Sequence, residues 1–434
     1  MTLDATHDPA RMSWIASANA SGTEFPLQNL PLGIFRRKNS AEAPRGGVAI
    51  GDRIVDLAAA QRARLFSGDA AAAAEAASGP TLNTLMAMGN GASRALRRAL
   101  FELLDAAGAA RRSSVEPVLV PMTEAELMLP CEIGDFTDFF SSIYHATNAG
   151  RSLRPDNPLN VNFKYVPVAY HSRASSVVAS GFPVRRPKGQ IRPPNAEAPF
   201  YAGSRALDCE VELGFWIGTG NRLGQTIPID QAEDHIFGFC LLNDWSARDI
   251  QGWESQPLGP FLGKSFCTTV SPWIVTKDAL EPFRCADFER AAGDPAPLPH
   301  LKSKREGGFD ITVEALISTQ RQRQAGAQPM RFALCNAKNG YWTVAQMVAH
   351  HASNGCNLRP GDLFGTGTLS GPTPDSLGCL LEATKRGSEP LKLSNGEERR
   401  WLEDGDEVIF RAHAAKADHV TIGFGEARGM VMPA

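Results

Sequence analysis

Several features that define common classes of protein are absent from this sequence. It has no run of 18 apolar residues, so no membrane-spanning helix is expected. The first residues, MTLDATHDPARMSW, contain no apolar stretch of the kind that a secretion signal needs, which predicts a cytoplasmic protein. The 44 basic residues do not outnumber the 47 acidic ones, and this balance argues against a broad nucleic-acid-binding surface.

The cysteines also lack a functional pattern. None of the eight forms a CxxC pair, so the sequence offers no zinc or dithiol redox motif of that spacing. Without a secretion signal they are expected to be reduced thiols, mostly buried. A catalytic role for any one of them is not expected.

Glycine and proline, in contrast, are abundant, with 40 and 30 residues. This density of turn formers favours many short strands over a helical bundle. The sequence therefore predicts a mainly β protein with a few helices, one of them opened by a capping box at Thr343 and Gln346. Strands are expected in segments 209–218, 235–244, 309–317, 401–412 and 419–432, and helices at 70–77 and about 93–110.

The order of these segments suggests two domains. Residues 1–30 are polar and predict an arm on the surface, and GIFRR, GGVAIG and RIVDL predict strands of a small β-barrel. The helix at 93–110 places leucines on one stripe, so its arginines are expected on a solvated face. A run rich in proline and serine follows, and we place the domain boundary there, with domains at 1–125 and 126–434.

A pair of glutamates is the first candidate for a functional site. Glu210 and Glu212 are two residues apart on a predicted strand, so their side chains project from the same face. Adjacent like charges on an apolar strand are costly without a partner. The pair by itself fits a solvated sheet face at least as well as a binding site.

Two further acidic residues occupy unusual positions. Asp244 follows an apolar strand and precedes the helix SARDIQGWE, for which Ser246 is the predicted N-cap and Asp249 the capping-box partner. Asp244 also fits an ordinary turn. Asp138 lies in the aromatic and acidic segment IGDFTDFFSSIYHAT with His145 seven residues later, and a single histidine is more often structural than catalytic.

If the fold brings these four carboxylates together, they form an all-oxygen site for a hard cation. Such a site suits Ca²⁺ or Mg²⁺, with Mn²⁺ as an alternative, and does not suit zinc. Arg248 and Lys264 would balance the remaining negative charge. Gln251 lies three residues after Arg248 on the same helical face, and both side chains can donate hydrogen bonds to a developing oxyanion.

Long, ordered motifs make the sequence similar to the fumarylacetoacetate hydrolase family, over almost the whole chain from about residue 30. The motifs are IGDFTDFFSSIYHATNAG, YHSRASSVVASG, LDCEVELGFWIG, LLNDWSARDIQGWESQPLGPFLGKSF and NGCNLRPGDLFGTGTLSGP. The resemblance implies a small N-terminal SH3-like barrel, a large C-terminal mixed β-sandwich roll and a homodimer. It also implies an enzyme of tyrosine and phenylalanine catabolism that cleaves fumarylacetoacetate with water into fumarate and acetoacetate.

The resemblance assigns a role to each matching position. The implied calcium ligands are Asp138, Glu210, Glu212 and Asp244, and Lys264 and Thr268 fall on a magnesium-associated site. His145 is the implied general base, oriented by Glu382. Arg248, Gln251 and Lys264 are the implied oxyanion donors, and the implied substrate contacts are Phe140, Arg154, Gln251, Ser255 and Thr368.

Three positions depart from the family pattern. Phe140 and Ser255 stand where the family has tyrosines that contact substrate, and Cys267 stands where it has glycine. Since the ligands, base and oxyanion donors match, hydrolysis is still expected. The loss of two phenol hydroxyls changes the pocket that selects the substrate. The alternative is a hydrolase or decarboxylase of the same fold that acts on another acylpyruvate or 2-oxo acid.

Overall fold

The computed structural model describes residues 3–151 and 155–434. Its helices are short because glycine, proline and turn residues interrupt most segments. None of those described is long and apolar enough to cross a membrane. The helices are α1 Leu57–Arg62, α2 Gly68–Ala77, α3 Asn83–Ala87, α4 Asn90–Leu104, α5 Arg112–Val115, α6 Ile143–Arg151, α7 Ile229–Ala232, α8 Arg248–Glu254, α9 Lys277–Leu280, α10 Gln320–Gln324, α11 Val344–His351 and α12 Leu380–Ala383.

Strands dominate the described residues, which confirms the predicted mainly β class. The strands are β1 Leu32–Arg37, β2 Arg45–Ile50, β3 Arg53–Asp56, β4 Leu119–Pro121, β5 Ala125–Met128, β6 Phe136–Phe139, β7 Ala169–His171, β8 Val177–Ala179, β9 Val184–Arg185, β10 Lys188–Ile191, β11 Phe200–Gly203, β12 Leu207–Asp208, β13 Val211–Ile217, β14 Ile236–Asp244, β15 Ser246–Ala247, β16 Thr268–Val270, β17 Trp273–Thr276, β18 Arg284–Cys285, β19 Gly308–Phe309, β20 Ile311–Ser318, β21 Met330–Asn336, β22 Leu363–Gly365, β23 Leu391–Lys392, β24 Glu398–Arg399, β25 Glu407–Ala414 and β26 Ile422–Met432.

The largest sheet contains 13 strands and includes both early and late parts of the chain. Its main path runs β4-β3-β2-β1-β17-β14-β13-β22-β6-β7, and β5, β8 and β16 pair beside it. The first strands join the later ones where β1 pairs with β17, with Leu32 opposite Ile274. Strand β5, which begins at the predicted boundary, also pairs with β1, so the two sides of that boundary share one sheet. The division into domains at residues 125 and 126 stays a prediction.

A second sheet of five strands has the order β21-β20-β25-β26-β9. Buried side chains from both sheets, among them Phe215 of β13 and Phe410 of β25, form one apolar core. A second core combines the leucine stripe of α4 with Trp216 of β13 and Phe237 of β14. Strands β13 and β14 are therefore held by packing on both faces, and they carry three of the four candidate acidic residues at or beside their ends.

The predicted strands are confirmed in all five segments, and the capping box at Thr343 and Gln346 is present at the start of α11. The predicted helix at 70–77 lies within α2. The helix predicted over 93–110 is wrong at its end, because α4 stops at Leu104. Asp105 leaves the helical conformation and its side chain caps a short 3₁₀ segment instead.

Two predictions about the surface are wrong. The segment before residue 30 is not a solvated arm, since Ile15, Leu27 and Asn29 are buried. Arg97 of α4 is only 4% exposed, and it donates hydrogen bonds to the carbonyl oxygens of Gln28 and Asn29. The N-terminal segment thus covers Arg97, whereas Arg98 of the same helix is 56% exposed, as predicted.

Candidate active site

Four buried carboxylates meet at the centre of the large sheet. Asp138, Glu210, Glu212 and Asp244 each place a ligand atom within 4.8 Å of the others. None of the four is more than 5% exposed. The solvated reading of the Glu210–Glu212 pair is therefore wrong, and so is the reading of Asp244 as an ordinary surface turn.

Strand register explains how residues so distant in sequence come together. Asp138 of β6 lies beside Gly365 of β22, which in turn lies beside Gly214 of β13. Glu212 of β13 faces β14, and Asp244 is the last residue of β14. Strands β6, β13 and β14 thus bring the four carboxylates to one point of the sheet, and β22 leaves room for them there with Gly365.

The backbone at this point is shaped to leave room for the carboxylates. A Cβ atom on Gly365 would lie 2.5 Å from Asp138 Oδ1 and 2.9 Å from Glu212 Oε2. Both distances are shorter than a van der Waals contact, so any side chain at residue 365 would displace these oxygens. Glycine at this strand position keeps the acidic cluster intact.

Two cations sit against the cluster. Lys264 Nζ lies 2.5 Å from Asp244 Oδ2 and 2.8 Å from Glu210 Oε2, and Arg248 Nη1 lies 2.6 Å from Glu210 Oε1. Burial alone would raise the pKa of Glu210, but Lys264 and Arg248 together hold that pKa well below its usual range. Burial would likewise lower the pKa of Lys264, yet Asp244 and Glu210 raise it.

The other two carboxylates are left without enough positive charge. Burial, and next the nearby Asp244, raise the pKa of Asp138 well above its usual value. Burial and the three neighbouring carboxylates do the same for Glu212. Asp138 Oδ1 and Glu212 Oε1 are buried acceptors that receive no hydrogen bond from any described residue. Such oxygens are costly unless a proton or a cation satisfies them.

These observations fit a divalent cation. The donor set consists only of carboxylate oxygens, which are ligands that Ca²⁺, Mg²⁺ and Mn²⁺ prefer. Thr268, predicted near a second ion, donates a hydrogen bond from Oγ1 to Asp244 Oδ1 over 3.1 Å. The cluster could therefore hold a metal ion of this class.

A buried histidine–glutamate pair forms the next part of the site. His145 of α6 and Glu382 of α12 are 3% and 7% exposed, and their Nδ1 and Oε2 atoms are 2.6 Å apart. Burial opposes ionisation of Glu382, but His145, Ser370 and Asn148 lower its pKa to about 2. An ionised Glu382 can only accept a hydrogen bond. A neutral His145 therefore donates its Nδ1–H to Glu382 and keeps its lone pair on Nε2.

Two of the three predicted oxyanion donors, Arg248 and Gln251, lie on α8, and the third, Lys264, follows that helix and contacts the acidic cluster. Arg248 donates from Nε to Asp208 over 2.8 Å and from Nη1 to Gln251 Oε1 over 3.2 Å. Its Nη2 is buried and has no partner among the described residues. The predicted cap of this helix is wrong, because Ser246 lies before the N-cap and donates to Glu210 Oε1 and to the carbonyl of Asp244. Its hydroxyl thus serves the acidic cluster.

Among the predicted substrate contacts, Phe140 lies directly against the His145–Glu382 pair. Phe140 packs edge-on against the His145 ring at 5.2 Å between centroids, and Ser255 Oγ donates to the carbonyl of Gln251. Thr368 is buried, and its hydroxyl has no partner in the described part of the chain. Cys267 is buried, which raises the pKa of its thiol to about 12, and Arg154 lies outside the described residues.

Sequence reasoning missed several polar residues of the site. Asp208, one of them, pairs with Arg248. Tyr170 of β7, which the sequence offered only as a substitute substrate contact for Phe140 and Ser255, donates from its hydroxyl to Asp244 Oδ2 over 2.9 Å. Ser370, Asn148 and Cys379 surround Glu382. The aspartate was adjacent to the acidic strand and could have been noticed there, whereas nothing in the local sequence distinguishes the others.

The mainly β fold and this site define a class, namely an enzyme with a buried acidic cluster that could hold a cation, beside a histidine–glutamate pair. Comparisons with known proteins show the family. Residues 136–432 match the family model described as the C-terminal part of fumarylacetoacetate (FAA) hydrolase, and residues 28–130 match fumarylacetoacetase N-terminal. The chain belongs to the fumarylacetoacetate hydrolase family.

Individual relatives cover nearly the whole chain. It is 48% identical over 421 residues to fumarylacetoacetase of Oryza sativa subsp. japonica, a match that spans 96% of each chain. It is 45% identical over 428 residues to fumarylacetoacetase of Homo sapiens, spanning 98% of this chain and 99% of that one. The structure of fumarylacetoacetate hydrolase from Exiguobacterium antarcticum shares the fold, with a TM-score of 0.53 and 18% identity over 93% of this chain and 100% of that chain.

Proposed function

We propose that this protein hydrolyses a carbon–carbon bond of 4-fumarylacetoacetate, giving fumarate and acetoacetate, as a step of tyrosine and phenylalanine catabolism. The observation that carries this proposal is the buried His145–Glu382 pair next to the four-carboxylate cluster. Full-length relatives named fumarylacetoacetase, at 45–48% identity, support the substrate. The alternative is a hydrolase or decarboxylase of the same fold that acts on another acylpyruvate or 2-oxo acid. Decarboxylation is disfavoured because it needs no base to activate water, and a different substrate is disfavoured because the relatives are named fumarylacetoacetase.

Water activation falls to His145. Glu382 accepts a hydrogen bond from the Nδ1–H of His145, and Nε2 can then take a proton from a water molecule. The hydroxide then adds to the ketone carbonyl carbon of the fumaryl group, which becomes a carboxyl carbon of fumarate. Phe140 packs against the imidazole and helps to fix the plane of the ring.

The resulting oxyanion needs donors that are already in place. No described residue accepts a hydrogen bond from Arg248 Nη2. Its Nη1 donates to Gln251 Oε1, which leaves the amide NH2 of Gln251 as a second donor. Lys264 supplies a third donor and, after Arg248, a second positive charge. The tetrahedral intermediate then collapses with cleavage of the carbon–carbon bond, and the acetoacetate carbanion takes the proton held by His145.

A divalent cation completes the charge balance of the site. We propose that Asp138, Glu210, Glu212 and Asp244 bind Ca²⁺ or Mg²⁺, with Lys264 and Thr268 alongside. When bound, the ion would polarise the diketone oxygens and stabilise negative charge on the acetoacetate fragment. All of these residues lie in the proposed catalytic domain 126–434, next to an SH3-like domain at 1–125, and the family resemblance supports a homodimer.

The substrate is held by residues around this centre. We assign contacts to Phe140, Arg154, Gln251, Ser255 and Thr368. The hydroxyl of Thr368 is buried and has no hydrogen-bond partner among residues 3–151 and 155–434. This supports the assignment for Thr368, because a ligand oxygen would satisfy the hydroxyl.

Turnover of synthetic fumarylacetoacetate, followed as loss of the ultraviolet band of the diketone, tests the proposal. His145→Ala should lower kcat by about a factor of 10² to 10⁴. The control His300→Gln, on a histidine outside the site, should leave kcat unchanged. Absence of fumarate and acetoacetate among the products of the wild-type enzyme, with Ca²⁺ and with Mg²⁺, would overturn the assignment.

A further inference from the structure

The polar groups behind the His145–Glu382 pair form a closed ring of hydrogen bonds. The imidazole Nδ1 of His145 contacts Glu382 Oε2, and Ser370 Oγ donates to the same oxygen over 2.6 Å. The carbonyl of Ser370 accepts from Ser142 Oγ over 2.7 Å, and Ser142 Oγ accepts from the backbone N–H of His145 over 3.2 Å. Ser370 therefore contacts the carboxylate directly and the backbone of the base through one serine.

The carboxylate of Glu382 is held from several directions. Besides His145 and Ser370, the thiol of Cys379 lies 3.1 Å from Oε2, and Asn148 Nδ2 donates to Oε1 over 2.9 Å. An ionised carboxylate that accepts this many hydrogen bonds has little freedom to rotate. These contacts hold Glu382 Oε2 in place as the hydrogen-bond acceptor for His145 Nδ1.

Ser370 and Cys379 are built into this position and are not solvent-exposed polar residues. Both are 0% exposed. Ser370 Oγ also accepts the backbone N–H of Gly378 over 2.9 Å, which orients its own proton toward Glu382. Cys379 is the residue before α12, which carries Glu382, so its thiol reaches the carboxylate from the start of the same helix.

We propose that Ser370 and Cys379 are positioning residues, which hold the Glu382 carboxylate so that His145 keeps its proton on Nδ1 and its lone pair on Nε2. The proposal rests on the function proposed above, since it assigns His145 as the base. Neither side chain touches the reacting atoms. Their contribution is the orientation of the base, and it should appear in kcat and in the state of the imidazole proton.

Substitution of Ser370 gives the main test. Ser370→Ala should lower kcat about tenfold to a hundredfold with KM unchanged, because a hydrogen bond to a charged group is lost behind the base. The matched control is Ser271→Ala, since Ser271 is also 0% exposed and its Oγ also accepts a backbone N–H, that of Leu241, over 2.9 Å. If both variants change kcat and KM alike, the role of Ser370 is only structural and the proposal fails.

Cys379 provides a test by rescue. Cys379→Ala should lower kcat by a smaller factor, about threefold to tenfold, because a thiol is a weaker donor than a hydroxyl. Cys379→Ser retains a donor and should recover most of the lost activity. The control is Cys240→Ser, at a buried cysteine outside the site. If Cys379→Ala is as active as Cys379→Ser, the proposal is contradicted. This test does not depend on whether Ser370→Ala folds.

A measurement without substrate separates this proposal from the proposed function. The Nδ1 proton shared between His145 and Glu382 should give a far-downfield proton NMR signal in the wild-type protein. That signal should be lost or shifted in Ser370→Ala and retained in Ser271→Ala. If the wild-type protein does not hydrolyse fumarylacetoacetate, the proposed function fails and the NMR result alone decides. An unchanged signal in Ser370→Ala would then refute the positioning role.

Discussion

Replacement of Glu212 by glutamine should change stability in opposite directions with and without a divalent cation. The substitution removes one charge from the acidic cluster, and the amide oxygen can still accept the backbone N–H of Gly367, which lies 2.9 Å from Glu212 Oε2. In metal-free protein the change relieves repulsion among buried carboxylates. In metal-loaded protein it removes a ligand, so the same change should be destabilising relative to the wild type.

The magnitude follows from the separations in the cluster. Two unit charges 4.8 Å apart repel by about 3 kcal/mol at an effective dielectric constant of 20. Lys264 and partial protonation offset much of this repulsion, so we expect a net gain of about 1–2 kcal/mol for metal-free Glu212→Gln. At a typical entropy of unfolding per residue, this corresponds to a Tm increase of about 1–2 °C. A cation at about 100 times its Kd should stabilise the wild type by about 2.7 kcal/mol, or about 3 °C, and the variant much less.

The pH dependence has a definite sign. Because the folded-state pKa of Glu212 is raised, the folded protein binds more protons than the unfolded chain above the ordinary glutamate pKa. Stability of the metal-free protein should therefore fall as the pH rises from that ordinary value toward the raised one. Glu212→Gln should reduce this slope.

Differential scanning calorimetry in chelator, in Ca²⁺ and in Mg²⁺ checks these expectations. Glu314→Gln, on strand β20 outside the cluster, is the control and should show the wild-type response to both ions. A lower Tm for metal-free Glu212→Gln would refute the argument that the cluster is strained by its own charge. An equal response of wild type and variant to both ions would refute the assignment of Glu212 as a ligand.

Three further expectations can be checked separately. Burial, and next His171, lower the pKa of His351 to about 4. The folded protein is therefore expected to lose stability as the pH falls from about 6.5 toward 4, because the unfolded chain binds this proton first. Calorimetry across this range should show a smaller loss of stability for His351→Gln than for the wild type. Phe140→Tyr combined with Ser255→Tyr adds two hydroxyl donors and should increase kcat/KM for fumarylacetoacetate. A hydrogen bond to a charged group contributes about 1.5–3 kcal/mol. An unchanged kcat/KM would show that other groups bind the substrate. Light scattering at micromolar concentration should give the mass of two chains, and the mass of a single chain would contradict the expected homodimer.

The parts of the fold that could be predicted are those with strong local patterns. The five strand segments have apolar runs bounded by turn residues, and the leucine stripe of α4 marks its buried face. The opposite face of α4 could not be read, because Arg97 is buried by a segment about 70–90 residues earlier in the chain. A helical periodicity shows which residues are apolar and does not show what covers the polar side.

The candidate site divides in the same way. Glu210 and Glu212 were detectable because two acidic residues on one face of an apolar strand contradict their surroundings. Whether that face was solvated could not be decided locally, since the answer depends on β6, β14 and β22. Motif resemblance, and not periodicity, supplied His145 and Glu382, which are 237 residues apart.

Asp208 shows why the supporting residues escape sequence analysis. Its buried carboxylate accepts the backbone N–H groups of Leu380 and Leu381, at the start of α12, and the Nε–H of Arg248. One side chain therefore connects the helix that carries Glu382 to Arg248, the proposed oxyanion donor. An aspartate makes both contacts only because it is fully buried between two segments that lie 40 and 172 residues later in the chain. Since an uncompensated buried charge is costly, the position of Arg248 and that of α12 depend on each other through Asp208.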